Sequence, residues 1–313
     1  MYLFFLNLVI IYSGDFMNLY KDCTLCPRMC HINRYNQKGF CRLSNKVRLS
    51  LAKPFFYEEP PISGMNGSGT IFFTGCNLRC VYCQNIEISK YMKGIDVSIK
   101  RLAEIMLELQ EKKVHNINLV TPTMYIPSII KAIKIAKENG LKIPIVYNTS
   151  GYENKDTIKL LNGYIDIYLP DFKYFNNDYA REYSMCSNYR ENVQEALKEM
   201  YQQTGPCVFD KDGLLKKGII VRHLILPNHY SDSKKIIKYL YDTYKDNIYI
   251  SIMNQYTPNK EVSGCLRNTI SDNEYNKLID YAVELGVNNA FCQIEGTQKE
   301  SFIPEFNYQG TKK

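Results

Sequence analysis

Several absences bound the reading of this 313-residue chain. No low-complexity segment and no repeat on the scale of about 20–50 residues recurs, which excludes solenoids and disordered tracts. The apolar stretch from Tyr2 to Tyr12 falls short of the roughly 20 residues that a membrane-spanning helix needs. No Lys or Arg precedes Lys21, so the same stretch lacks the basic head of a secretory signal. Met17 therefore reads as the natural start and residues 1–16 as a mis-assigned extension, a weak membrane-surface anchor being the lesser alternative. The net charge is +7, yet the lysines are dispersed, so nucleic acid is not indicated as a partner. Histidine is scarce, four in all, and none stands near residues 76–83.

Cysteine, by contrast, is abundant. Seven of the eleven fall into two tight clusters with metal-ligand spacing, and the chain has no secretory layout. That combination describes a metalloprotein of a reducing compartment, the cytoplasm, rather than a disulfide scaffold. Cys186, Cys207, Cys265 and Cys292 are isolated and read as small core hydrophobes.

The central cluster follows Gly69-Thr-Ile-Phe-Phe-Thr74, a β-branched and aromatic run that reads as a buried strand. Gly75 then leads into Cys76, Cys80 and Cys83, three thiols within eight residues. A 4Fe–4S cube has four irons with cysteine thiolates as usual ligands, so three cysteines leave one iron open. An open coordination position marks chemistry rather than structure, as it does for zinc. A zinc knuckle is the competing reading, and zinc would want a fourth ligand close by.

Upstream, Cys23, Cys26, Cys30 and Cys41 make a second candidate site, with a proline turn after Cys26 and Gly39 shortly before Cys41. Four sulfurs suit either structural zinc or an iron–sulfur cluster. Arg28 and Arg34 add positive charge that favours bound thiolates. The chain accordingly divides into the extension 1–16, a cysteine-rich segment 17–60, a barrel over 61–300 and a tail 301–313.

Beyond the central loop, strand and helix patterns alternate. Strands are expected over 116–123, 142–149, 165–172, 218–227 and 248–256, joined by helices with apolar residues near a 3.6 period. Ser98 caps one helix and the Ser271/Glu274 capping box opens the last. Pro60-Pro61 reads as an irregular connection and Asp210–Gly213 as a hairpin tip. Six strands with helical crossovers argue for a parallel (β/α)6 part-barrel of α/β class, with every strand's carboxyl end on one rim. Polar residues recur at those ends: Thr121 with Thr123, Asn148-Thr149-Ser150, Asp171 with Lys173, Arg222-His223 and Asn254-Gln255-Tyr256.

The Cys76/Cys80/Cys83 spacing resembles the signature of the radical S-adenosylmethionine (SAM) enzymes. In that superfamily the open iron chelates the amino and carboxylate groups of SAM. One electron then cleaves the sulfonium to a 5′-deoxyadenosyl radical that abstracts hydrogen. The aromatic before the third cysteine, here Tyr82 with Asn85 following, lies by the adenine. Segments 118–123, 146–152, 168–174 and 221–227, with Cys23–Cys41, resemble a family related to pyruvate formate-lyase activating enzyme. That resemblance implies a cofactor pair of 4Fe–4S cluster and SAM, and an electron donor such as flavodoxin or ferredoxin. It places Thr121, Thr123, Asn148, Thr149, Ser150, Asp171, Lys173 and Arg222 by SAM, the last facing its carboxylate. The favoured target is a glycyl residue of a partner enzyme. Modification of a peptide, RNA or metabolite is the alternative within the same chemistry, and a non-catalytic iron–sulfur electron-transfer or assembly protein the alternative outside it.

The chain also departs from the activating enzymes. Val120-Thr-Pro-Thr123 stands where they carry Gly-Gly-Glu-Pro, so hydroxyls or carbonyls are expected to replace the acidic group that holds SAM's amino group. Asn148 replaces an aspartate, which weakens a monovalent cation site, and Asn254-Gln255-Tyr256 lacks an expected histidine.

Overall fold

The computed structural model describes residues 15–293 and 302–312. The proposed extension 1–16 therefore lies almost wholly outside the described residues. In chain order the elements are β1 (Val47–Phe55), α1 (Pro60–Ser63), β2 (Ser68–Phe73), α2 (Ile86–Ser89), β3 (Ile95–Val97), α3 (Ile99–Glu111), β4 (Ile117–Val120), α4 (Ile126–Glu138) and β5 (Ile145–Thr149). Then come α5 (Lys155–Lys159), β6 (Ile167–Pro170), α6 (Asn177–Ser184), α7 (Tyr189–Thr204), β7 (Val208–Phe209), β8 (Leu215–Leu224), α8 (Tyr230–Tyr244), β9 (Tyr249–Met253), α9 (Asp272–Leu285) and β10 (Ala290–Cys292).

The six expected strands are spatial neighbours in the order β2-β4-β5-β6-β8-β9, every pair parallel. β10 extends this sheet in parallel at one edge, while β1 pairs antiparallel with β2 at the other and β3 with β1. The two edges do not pair with each other among the described residues, so the barrel is open. Helices on the outer face leave β2, β4 and β6 buried at every position, with the few polar residues among them, Ser68, Thr70 and Asn118, buried as well. α3 and α4 pack on β2 and β4 through Leu102, Ile105, Met106, Ile129 and Ile133, all buried in the main core.

Local chemistry sets the boundaries. The Ser98 and Ser271 hydroxyls accept from the Arg101 and Glu274 N–H groups, capping α3 and α9, and Gly286 ends α9 at φ +90°. Three expectations need correction. Pro60 and Pro61 open the short helix α1 instead of an irregular link, because proline suits a first helical turn. The helical region after the fourth expected strand is two helices, separated where Met185 turns left-handed at φ +54°. β5 starts at Ile145 rather than Lys142, since Pro144 has no N–H for the ladder.

Residues 15–46 hold little regular structure, only a 3-10 turn over Phe16–Tyr20. They build a small core of their own from Tyr20, Cys23 and Leu25. The Tyr20 hydroxyl bonds Ser128 Oγ on α4 at 3.0 Å, and Arg34 donates to the Met124 carbonyl at 2.6 Å. This segment is thereby fixed beside the signature loop. No helix among the described residues is long and apolar enough to cross a membrane.

Candidate active site

The signature loop leaves the carboxyl end of β2 through Gly75, whose φ of +85° and contact with Leu43 leave no room for a side chain: a Cβ there would stand 2.7 Å from Leu43. Each of the three thiols has a polar neighbour. The Leu78 N–H donates to Cys76 Sγ at 3.3 Å, the Ser184 hydroxyl to Cys80 Sγ at 2.8 Å, and Ser89 Oγ lies 3.2 Å from Cys83 Sγ. Burial, with Cys80 as a charged neighbour, pushes the Cys76 thiol far up and the Cys83 thiol up to about 11. Three such thiols ionise together only beside a strong positive centre, which is what bound iron supplies. Among the described residues no three Cys, His, Asp or Glu side chains gather about one point suited to a single metal ion, either in this loop or in the upstream cysteine segment. Three thiols on one short loop suit ligands to separate irons of one cube.

Cys80, Tyr82, Cys83, Gln84 and Asn85 form one wall of a cavity of about 500 Å³ inside the barrel. Tyr82 is buried, its hydroxyl 2.5 Å from that of Tyr174 and its ring edge-on to Tyr174 and Tyr256. Asn148, Asp171, Lys173 and Arg222 line the same cavity. Asp171 bridges to Arg222 across β6 and β8. Its carboxylate takes the Lys173 ammonium at 2.7 Å and Arg222 Nε at 3.0 Å. Burial acts most strongly on Asp171 and would raise it, but Lys173 and Arg222 together outweigh it and hold the carboxyl below its ordinary value.

Sequence reasoning missed Glu58 and Glu59. Glu58 Oε1 accepts from Asn118 Nδ2 at 2.9 Å and Oε2 from Arg222 Nη1 at 3.2 Å, inside the barrel. Arg222 also donates from Nη2 to Asn148 Oδ1 at 2.6 Å, so all three of its nitrogens meet this chain's own acceptors. Burial pushes the Glu58 carboxyl up to about 7, against the pull of Arg222. The only sequence signal was two acids before two prolines, in a stretch read as a linker. Beside the hydroxyls and carbonyls expected to replace the missing acidic group after β4, two further carboxyl groups enter the cavity from the β1–β2 connection.

The other named residues divide. Thr123 donates to Glu153 Oε1 at 2.6 Å and Thr149 to the same oxygen, away from the cavity. Ser150 Oγ lies 3.5 Å from Asn77 Oδ1, and Thr121, at φ +59°, receives the Asn148 carbonyl on its N–H. None of these four lines the cavity. His223 is tied to the Phe172 carbonyl and Ser233, Tyr256 donates to the Leu266 carbonyl, and Gln255 reaches the cavity wall.

Cys23, Cys26, Cys30 and Cys41 do come together, around one small cavity with Arg28, Arg34, Phe40 and Asn77. Arg34 is 1% exposed and its Nε has no partner, a buried cation that four metal-bound thiolates would balance. The two cysteine regions share a wall. Arg28 and Arg79 lie over opposite approaches to the Phe40 ring at 3.7 and 4.1 Å, and Arg28 Nε donates to the Asn77 carbonyl at 2.9 Å.

Comparison with known proteins agrees with this geometry. The family model described as the radical SAM superfamily matches residues 70–210. An uncharacterized protein of Methanocaldococcus jannaschii is 31% identical over 249 residues, covering 76% of this chain and 67% of its own length. A second uncharacterized protein of that organism is 26% identical over 197 residues, covering 56% of this chain and 55% of its own. Among solved structures, Streptococcus suis SuiB bound to precursor peptide SuiA is similar at a TM-score of 0.47 and 16% identity, over 71% of this chain and 47% of that one. Methylornithine synthase is similar at 0.47 and 13%, over 71% and 72%. A domain of pyruvate-formate lyase-activating enzyme from Bacteroides vulgatus is similar at 0.36 and 12%, over 61% and 94%. With the three-cysteine loop at the end of β2, the parallel part-barrel behind it, the family match over residues 70–210 and the relative 31% identical over 249 residues, this chain belongs to the radical SAM superfamily.

Proposed function

We propose that the chain is a radical SAM enzyme that takes hydrogen from a substrate held in the barrel cavity. A 4Fe–4S cluster on Cys76, Cys80 and Cys83 supplies, when bound, the electron that cleaves SAM to methionine and a 5′-deoxyadenosyl radical. The carrying observation is that thiols and charged groups line a single cavity: Cys80 and Cys83 with Lys173, Asp171 and Arg222. A protein that only ferried electrons would need no such chamber beside its cysteines.

The chain's own residues divide the work. Lys173 carries the ammonium for SAM's carboxylate, because its one hydrogen-bond partner is Asp171 Oδ2 and its remaining N–H donors are free to turn toward a ligand. Asp171 positions Lys173 and Arg222 together. Arg222 gives three of its five N–H donors to Asp171, Glu58 and Asn148, so it holds the floor of the cavity and keeps a donor on each terminal nitrogen for SAM's carboxylate. Tyr82 and Asn85 border the adenine side, and the packed Tyr82, Tyr174 and Tyr256 rings keep water from the thiols.

A glycyl residue of a partner protein is the target we infer, on the activating-enzyme-like segments 146–152 and 168–174. A second metal, zinc or iron–sulfur, belongs at Cys23, Cys26, Cys30 and Cys41, and a flavodoxin or ferredoxin supplies the electron. Anaerobic reconstitution with iron and sulfide, reduction, and assay for 5′-deoxyadenosine test the reading. Release that depends on both SAM and reductant supports it, and no release from a protein with full iron content sinks it.

A further inference from the structure

The cavity has a second end. β1 runs antiparallel to β2, pairing Phe55 with Ser68 at the amino end of β2, while the signature cysteines follow its carboxyl end. Glu58 and Glu59 thus enter the barrel from the rim opposite the cysteines. Glu58 is held by Asn118 and Arg222, as described. Glu59 feels Arg222 only as a nearby charge: it is 9% exposed, lines the cavity, and among the described residues its buried Oε2 has no hydrogen-bond partner. The neighbouring Asn118 Oδ1 is likewise a buried acceptor with no donor. Among the described residues, three acidic side chains (Glu58, Glu59, Asp171) line this cavity with two cations (Lys173, Arg222), so acceptors outnumber cationic groups there.

Independently, four aromatic rings form one continuous wall that runs from Phe302, Tyr57 and Phe55 to Phe72 near the carboxyl end of β2. Phe55 lies 5.4 Å from Tyr57 and 6.0 Å from Phe72, and Tyr57 lies 5.5 Å from Phe302. All four line the cavity, and Tyr57 is 65% exposed, which carries the aromatic wall to the solvent. Carboxylates short of donors beside clustered aromatic faces are what a desolvated organic cation needs: hydrogen-bond acceptors at one side and ring quadrupoles at the other. We propose that this end is a substrate subsite for a cationic amine or guanidinium, with Glu59 as the acceptor, Glu58 as its support and the Phe55–Tyr57–Phe72–Phe302 wall as the apolar shelf. The proposal rests on the cavity being the reaction chamber. It narrows the substrate to a molecule or peptide segment that places a positive group at this rim while the carbon to be attacked faces the cysteines.

Calorimetric or ligand-observed NMR titration of the reconstituted full chain tests it with simple probes. Pentylammonium and pentylguanidinium should bind, and pentanoate, of the same length and opposite charge, should not. Glu59→Gln should weaken the cations about tenfold or more, and Tyr57→Ala, at an exposed position, several-fold. Comparing pentylammonium with acetyl-Gly-Lys-Gly-amide separates a free amine from a lysine carried on a peptide. Equal binding of cation and anion, or unchanged cation binding in Glu59→Gln, overturns the proposal. So does a loss confined to SAM affinity in Glu59→Gln, which would assign this carboxylate to SAM. A protein that releases 5′-deoxyadenosine yet shows no cation preference sinks this inference alone, whereas failure of that release sinks the functional reading.

Discussion

Two cysteine regions sit wall to wall in this molecule and are built in opposite ways. The four thiols near the amino end enclose a small cavity on an irregular segment with a private core, beside a buried arginine. The three thiols of the signature loop hang from the end of a barrel strand, two of them on the wall of a cavity of about 500 Å³ that charged groups also line. Four sulfurs can complete a metal's coordination, which suits holding a fold together or storing an electron. Three cannot, and the space left over is where a ligand enters. The difference between holding and reacting is thus written in one missing sulfur and one open wall.

The largest expected effect breaks that comparison directly. Cys76→Ala, Cys80→Ala or Cys83→Ala should abolish 5′-deoxyadenosine formation in a chain that stays folded. Cys30→Ala should remove metal from the other region and leave SAM cleavage measurable. Equal loss from both sets, with folding intact by circular dichroism, would mean that the regions form one functional unit.

Next comes Lys173. It is 17% exposed at its side chain, and a desolvated charge-assisted contact of this kind contributes on the order of 2–4 kcal/mol, about 30- to 1000-fold in SAM affinity. Lys173→Ala should show that loss by isothermal titration. Arg222→Ala should weaken SAM too, and because it takes one buried cationic partner from both Asp171 and Glu58 it should also lower thermal stability. An affinity within threefold of wild type for Lys173→Ala would remove it from the site.

Much of this was legible before any coordinates. The strands were readable because both faces are covered: 69–74 and 165–172 carry β-branched, aliphatic or aromatic residues at most positions, and the parallel order followed from helical crossovers between them. Asp171, Lys173 and Arg222 were readable because a parallel sheet gathers its carboxyl ends on one rim. Glu58 and Glu59 were not, because they reach the cavity from the opposite rim, through an antiparallel hairpin that lies outside the strand–helix alternation. Thr123 and Thr149 were misplaced for a related reason. A strand-end residue can face inward or toward the helices, and the buried Glu153 draws both hydroxyls away from the cavity.

Glu153 sharpens the comparison, since it is buried between β4–β5 and the four-cysteine segment. Burial pushes its carboxyl up to about 7, although Thr123 and Thr149 donate to it. A carboxyl raised in the folded state favours folding when protonated, so its contribution is full below the unfolded value near 4.5 and is lost as pH rises through 7. Wild-type stability should fall by about 3 kcal/mol from this group between those limits, at about 1.4 kcal/mol per pH unit. Glu153→Gln should flatten the slope in anaerobic urea unfolding. An unchanged slope would show that Glu153 is charged and compensated in the fold. The smallest effect is expected from deleting residues 1–16, which takes away Asp15 and Phe16 at the start of the 3-10 turn and should leave iron content as it is. A truncated chain that fails to fold would make that segment part of the protein's structure.

The most direct test of the open-iron claim is electron paramagnetic resonance of the reduced, reconstituted Cys30→Ala protein, in which the signature loop is the intact metal site, before and after adding SAM. The account predicts about four irons per chain on that loop and a signal that changes shape when SAM binds. A signal of full intensity that SAM leaves unchanged would contradict it.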